Sequence, residues 1–306
     1  MSDKLFDKIK GALYGAVVGD ALGGPLEFMS KDEITANYGE VREMIGGGWL
    51  SLKPGETTDD TEMTLAVARG IVTLPDDPIY AIGQNFIEWF KREPKDIGNT
   101  CQEAIVKALE IAGEGNIPSS DQWIKAADEV AEQNNHRSGG NGALMRTVFP
   151  GLFYNDKEKA CDTAVQIGDM THADELSDEL VSTYTELVYE MIRNSSADEC
   201  LGIVLKIIDK RELKNKLPSH VKSSGWCADS LKVALHYLVS KSSFEETIVG
   251  AVNEGGDSDT VGAVCGGLAG AMYGFEAIPQ RWIETLSEDI RNELDSLSQA
   301  AFDAQI

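Results

Sequence analysis

Two acidic clusters, Thr58-Asp59-Asp60-Thr61 and Asp257-Ser258-Asp259-Thr260, hold the residues best suited to chemistry in this chain. Each follows a glycine-bearing loop and opens an apolar run with helical spacing. Together they offer four carboxylates and several hydroxyls, a hard-oxygen set of the kind that binds Mg²⁺ or Mn²⁺. They lie near opposite ends of the sequence, so only a folded chain can join them; if it does, a metal enzyme follows. Each cluster alone has a plainer explanation. Asp59 with Glu62 three residues later reads as a capping box, Ser258 or Asp259 reads as the cap of the following helix, and first-turn carboxylates favour the helix dipole. The second cluster is no EF-hand, because Leu268 stands where the loop's last acid belongs. Capping needs one acceptor per helix, however, and crowded carboxylates raise one another's pKa. A two-metal centre accounts for the excess, and such centres activate water.

The elements that must position these residues are helical. Apolar periodicity predicts helices over about 4–19, 60–73, 79–91, 99–112, 121–133, 142–153, 157–169, 174–193, 197–208, 226–239, 244–253, 259–273 and 286–303. No series of alternating segments predicts a sheet; Val41–Ile45 is at most a short extended piece. The expected fold class is all-α, one domain over residues 1–306, because no linker or low-complexity stretch divides the chain. Lys31–Thr58 reads as one long loop, and loops of that length within a domain are often functional. Glycines recur every fourth residue at Gly11, Gly15, Gly19 and Gly23, and again at Gly262, Gly266, Gly270 and Gly274. Glycine inside a helix costs about 1 kcal/mol relative to alanine, so the two stripes predict a pair of helices in close backbone contact at the centre of the fold. That pairing brings Asp20, Glu27 and the second acidic cluster near one another.

Composition narrows the partners. With 51 acidic against 27 basic residues the net charge is −24, which disfavours binding to a nucleic-acid backbone. Five scattered cysteines with no CxxC pair fit a reducing compartment and no zinc site. The start resembles a signal peptide, with Lys4, Lys8 and Lys10 before Gly11–Val18, but Asp3 and Asp7 interrupt the basic region and Asp20 follows the short apolar run, so targeting is not expected. The most apolar stretch, Val261–Phe275, is too short and glycine-rich to span a bilayer. The expected location is cytoplasmic, with no integral membrane segment.

Seven motifs occur in one order: Gly19-Asp20-Ala21-Leu22-Gly23-Gly24-Pro25-Leu26-Glu27-Phe28, Gly46-Gly47-Gly48-Trp49, Thr57-Thr58-Asp59-Asp60-Thr61-Glu62-Met63, Gly98-Asn99-Thr100-Cys101, Gly140-Asn141-Gly142-Ala143-Leu144-Met145-Arg146, Thr171-His172 and Gly255-Gly256-Asp257-Ser258-Asp259-Thr260. This ordered set resembles the ADP-ribosylglycohydrolase family over nearly the whole chain. Within it the motifs are most similar to those of the dinitrogenase reductase-activating glycohydrolases, which remove ADP-ribose from arginine. The resemblance implies a compact helical fold with a central dinuclear cleft holding two divalent cations, Mn²⁺ or Mg²⁺. It makes Thr58, Asp59 and Asp60 ligands from one side and Asp257, Asp259 and Thr260 from the other. Water activated there attacks the anomeric carbon as the N-glycosidic bond loosens.

The same resemblance gives the remaining residues their roles. Asp96 matches an acid near the scissile bond in arginine-directed members, and a carboxylate pairs with a guanidinium through two parallel hydrogen bonds; the competing reading is an acid near a helix N-cap. Glu27 orients water or a ribose hydroxyl, or pairs with a nearby base. Gly140, Asn141 and Gly142 open a helix-like segment and cradle the diphosphate through N–H groups. His172 contacts ribose or phosphate, and Trp226 stacks on adenine or lies in the core. Ala173-Asp174-Glu175 departs from relatives that often carry a proline there. The implied partner is an ADP-ribosylated protein, with the iron protein of nitrogenase and a P-II-type regulator as candidates, and the expected oligomeric state is a monomer. Two other functions fit the motifs, an O-linked (serine) ADP-ribose hydrolase and a non-catalytic ADP-ribose-binding protein; the full set of six metal ligands argues against the second.

Overall fold

The glycine stripes meet. In a computed structural model describing residues 2–306, the helix Ser2–Gly23 lies along the helix Ser258–Tyr273 with their glycine faces in contact. A Cβ added to Gly11 would sit 2.5 Å from the Gly274 carbonyl carbon, and one on Gly15, Gly19, Gly266 or Gly270 would run into a carbonyl oxygen of the facing helix. From Lys8 onward the first helix, like the second, is buried nearly all round, which explains why these stretches show no polar face. Their approach fixes Asp20 and Asp259 near the same end of the pair.

Other helices wrap this axis. Cys227–Ser240 and Phe244–Val252 pack on Ser258–Tyr273, while Glu288–Asp303 packs on Ser2–Gly23. Asp59–Thr73 pairs with Pro78–Phe90, Asn99–Ala112 with Ser120–Gln133, and Lys157–Asp169 with Glu175–Ile192. One continuous apolar cluster runs through all of them, so the chain is a compact, single-domain all-α protein. Among the described residues β-structure is limited to three isolated bridges, Ser30–Gly255, Gly47–Leu52 and Gly140–Trp226. No described helix is long and apolar enough to cross a membrane.

The departures from the periodicity have local causes. The segment expected as a continuous loop begins with a helix, Lys31–Tyr38, closed by a capping box in which Ser30 Oγ accepts from Glu33 N and Glu33 Oε2 accepts from Ser30 N. That helix buries only Ile34, so it carries no apolar stripe. Val41–Ile45 forms no strand; Asn253 pins it by exchanging bonds with Val41 N and O. Residues 141–146 form turns, and the helix expected over 142–153 starts only at Val148. Two short helices, Leu213–Lys216 and Gln280–Thr285, are too brief to show a period.

Candidate active site

The first acidic cluster is held by a residue beneath it. Asp20, fully buried on the central helix, accepts bonds from Thr58 N (3.1 Å), Thr58 Oγ1 (3.0 Å), Thr61 N (3.1 Å) and Thr61 Oγ1. Thr58 is the N-cap of Asp59–Thr73, accepting from Asp60 N, which leaves Asp59 and Asp60 to face the cleft. The expected capping box does not form: Glu62 instead accepts from the Trp89 indole. At the second cluster Asp257 is the N-cap residue but makes no side-chain capping bond, and the Ser258 hydroxyl donates to Gly23 O. Neither pair of acids is used up by capping.

Thr260 Oγ1 donates to Asp60 Oδ2 at 3.1 Å, joining the two clusters directly. Glu27, at the end of the short 3₁₀ turn Gly24–Leu26, places a carboxylate oxygen within 4.8 Å of oxygens from Asp257 and Asp259. Among the described residues no base pairs with Glu27; the Trp49 indole donates to its Oε2 at 2.6 Å. Its segment is tied down, with Phe28 N donating to Gly256 O and Gly256 N to Met29 O, both at 2.7 Å. Asp96 lies on the cleft wall, and its loop is anchored where Gly98 N donates to Asp59 Oδ2 at 3.2 Å. The cap of the following helix is Gly98, so Asp96 is not part of a cap.

These acids surround a cleft of about 410 Å³. Burial, with mutual repulsion added, pushes Asp59, Asp60 and Asp259 well above the usual carboxylate range. Burial likewise lifts Asp20 to about 6, against the bonds from Thr61 and Thr58, and Glu27 to about 8, against the bond from Trp49. Asp96 is raised for the same reason. Asp60 Oδ1 and Asp259 Oδ1 are buried with no hydrogen-bond partner among the described residues. Orphaned carboxylate oxygens in so crowded a site are costly unless a cation meets them. The residues therefore fit hard divalent metal ions.

Opposite the acids, Asn141 Nδ2 donates to Asp257 Oδ2 at 3.0 Å and to Ser230 Oγ at 2.9 Å. Asn141 N is committed to Gly225 O, so Asn141 serves as an organiser of the acidic cluster and its N–H is not part of a phosphate cradle. Gly140 and Gly142 lack side chains because His172 lies against them: a Cβ on either would come within 3.0 Å of the imidazole. A chain of bonds sets that ring. The buried Arg146 donates from Nη2 to Thr171 Oγ1 at 2.7 Å, so Thr171 is free to donate to His172 Nδ1, also at 2.7 Å. Arginine has no acceptor, so Thr171 Oγ1 accepts from it; where the Thr171 hydroxyl donates to Nδ1, His172 carries its proton on Nε2. Burial, and then Arg146, depress His172 to about 3, so the ring is neutral at working pH.

Most of the expected site residues thus meet in one place: Glu27, Asp59, Asp60, Asp96, Gly140, Asn141, Gly142, His172, Asp257, Asp259 and Thr260 all line the cleft. Thr58 does not line it and turns its hydroxyl to Asp20 and Asp60. Trp226 lines an adjoining groove with Thr100, Gly140 and Gly225 and is 42 % exposed, so it is not a core residue. The supporting roles of Asp20, Trp49, Arg146 and Thr171 escaped the sequence, although all four stand in the motifs.

A model of the ADP-ribosylglycohydrolase family matches residues 1–306. The chain belongs to this family. An ADP-ribosyl-[dinitrogen reductase] glycohydrolase from Rhodospirillum rubrum is 34% identical over 296 residues, covering 95% of each chain. An ADP-ribosylarginine hydrolase from Serratia proteamaculans is 28% identical over 97% of this chain and 79% of its own. Among solved structures, an ADP-ribosylglycohydrolase-related protein complex superposes with a TM-score of 0.81 at 30% identity, covering 99% of this chain and 100% of that one. As an ADP-ribosylglycohydrolase the protein is a hydrolase acting on ADP-ribosyl glycosidic bonds.

Proposed function

We propose that the protein hydrolyses the N-glycosidic bond between ADP-ribose and an arginine side chain on a modified protein, using two divalent cations, Mn²⁺ or Mg²⁺. The observation that carries this reading is the closure of the two acidic clusters by Thr260 and Asp60, with unpartnered Asp60 and Asp259 oxygens inside and Asp96 on the wall. Asp59, Asp60, Asp257, Asp259 and Thr260 would hold the cations, joined by Glu27 and with Thr58 as a ligand or as support for the loop. When bound, the ions supply Lewis acidity toward ribose hydroxyls and a lowered pKa for water.

The protein's own groups do the rest. Asp96 pairs with the guanidinium of the modified arginine and holds it while the bond from the anomeric carbon to nitrogen breaks. The bonding pair goes to nitrogen, so the cationic guanidinium departs as neutral guanidine, still held by the Asp96 carboxylate. His172 donates from Nε2 to a diphosphate or ribose oxygen beside Gly140 and Gly142. Trp226 offers an exposed ring face for adenine. Glu27, fixed by Trp49, orients the attacking water. The name of the Serratia relative favours arginine as the linkage, and that of the Rhodospirillum relative makes dinitrogen reductase, the iron protein of nitrogenase, the candidate substrate.

Release of ADP-ribose from arginine-modified and serine-modified proteins tests the linkage, and turnover on serine alone would overturn arginine. EDTA is expected to abolish turnover and Mn²⁺ to restore it. Asp60→Ala should lose both metal binding, read by calorimetry, and activity, while circular dichroism retains the helical signal. Full activity in chelator would defeat the metal-dependent reading.

A further inference from the structure

Two aromatic rings stand in solvent at the acidic cleft. Phe28 is 70 % exposed and Trp49 is 52 % exposed; both line the cleft, and their ring centroids lie 5.3 Å apart. The backbone holds each of them out of the core. Phe28 takes a left-handed conformation (φ 63°), an outlier for so bulky a side chain. The bonds from Phe28 N to Gly256 O and from Gly256 N to Met29 O keep it there. Trp49 follows three left-handed glycines, Gly46, Gly47 and Gly48, a turn that returns its indole N–H to Glu27 Oε2. Strain that keeps an apolar ring in water costs stability, and such strain collects at functional sites.

We infer that Phe28, seated against Trp49, covers the flat face of the guanidinium whose edge Asp96 holds, and so selects an arginine-linked substrate. The inference rests on the proposed arginine hydrolysis and adds to it a residue that reads the leaving group. Asp96 lines the same cleft, and after burial the strongest upward push on Glu27 comes from the Asp96 charge. Glu27 therefore stands beside both, with its Oε2 on the Trp49 indole. A carboxylate binds a guanidinium through in-plane N–H groups, which leaves the two faces bare. Those faces are weakly hydrated and stack on aromatic rings, whose negative faces attract the cation. A serine linkage presents neither a cation nor a plane. The nucleotide does not compete for the rings: the groove to Trp226 adjoins the cleft at Thr100, Gly140 and Gly225, and neither Phe28 nor Trp49 lines it.

The test uses the Mn²⁺-loaded full chain with free ADP-ribosyl-arginine as substrate, and reads ADP-ribose binding separately by calorimetry. Phe28→Leu keeps an apolar side chain but no ring. It should raise KM roughly tenfold, change kcat by less than about twofold, and leave ADP-ribose affinity as it was. Phe28→Tyr keeps the ring and should stay near the wild-type KM. Phe28→Gly should raise KM as Phe28→Leu does while its melting temperature holds or rises, because glycine adopts a positive φ without strain. A wild-type KM in the Leu and Gly variants would overturn the stacking assignment while arginine hydrolysis stands. So would an equal loss of ADP-ribose affinity, which would put the ring on the nucleotide. A raised KM that comes with a lower melting temperature in both variants would make the ring a structural support and overturn the assignment as well. No release from free ADP-ribosyl-arginine by the wild type would overturn the arginine reading itself, and the stacking with it.

Discussion

At the scale of single residues, the least obvious part of the site is the chain from Arg146 through Thr171 to His172. A neutral histidine can present either a donor or an acceptor, and a Thr171 hydroxyl that donates to Nδ1 would hold the proton on Nε2. Thr171→Val keeps the volume and removes the proton that holds Nδ1. Its expected effect is a mixed tautomer in the ¹⁵N spectrum of His172 and a KM raised roughly fivefold, about 1 kcal/mol for one hydrogen bond. Thr171→Ser should restore both, and an unchanged imidazole spectrum in the Val variant would remove Thr171 from this role. With its pKa depressed to about 3, His172 should contribute no limb near its ordinary value to the pH–rate profile. Sequence alone made the acids legible because Asp59, Asp60, Asp257 and Asp259 sit in loop-to-helix junctions with more carboxylates than capping requires. Their supports were not legible: Asp20 reaches Thr58 and Thr61, and Trp49 reaches Glu27, across separations that no local spacing encodes.

At the scale of elements, the glycine-lined helix pair sets the position of everything else. Gly266→Leu would drive a branched side chain into the backbone at Gly15, a site with no flexible neighbour to move aside. We expect no cooperative melt, or a far lower melting temperature, by differential scanning fluorimetry; an unchanged transition would count against the close packing. This pairing was legible because a repeated absence of side chains at fourfold spacing has few other uses inside a costly helix interior. The helix Lys31–Tyr38 was not, since one buried isoleucine gives no period and only Ser30 and Glu33 announce it. The turns at 142–146 were misread as helix because Ala143, Leu144 and Met145 are buried in the apolar core, which imitates an apolar helical face.

Over the whole molecule, the acidic site sets stability against function. Folding lifts Asp20 from 3.8 to about 6 and Glu27 from 4.5 to about 8, so between those limits the folded, metal-free protein holds protons that the unfolded chain has released. Stability contributed by these groups is present at low pH and is lost as pH rises toward 8. Thermal melts without metal should therefore fall from pH 5.5 to 8.5. Added Mn²⁺ should raise the melting temperature most at the alkaline end, where it no longer competes with protons for the carboxylates. A metal-free melting temperature that stays level over this range would contradict the account.

The bond between Thr260 and Asp60 also has a bearing on how the protein comes into being. The carboxylates that need a cation and the glycine face that needs a partner are both split between the first and the last quarter of the chain. A ribosome that has released everything up to the Phe244–Val252 helix has made half a site and half an axis. Because the missing halves arrive on the same segment, Ser258–Tyr273, the nascent chain gains the second half of its axis and of its acidic site together.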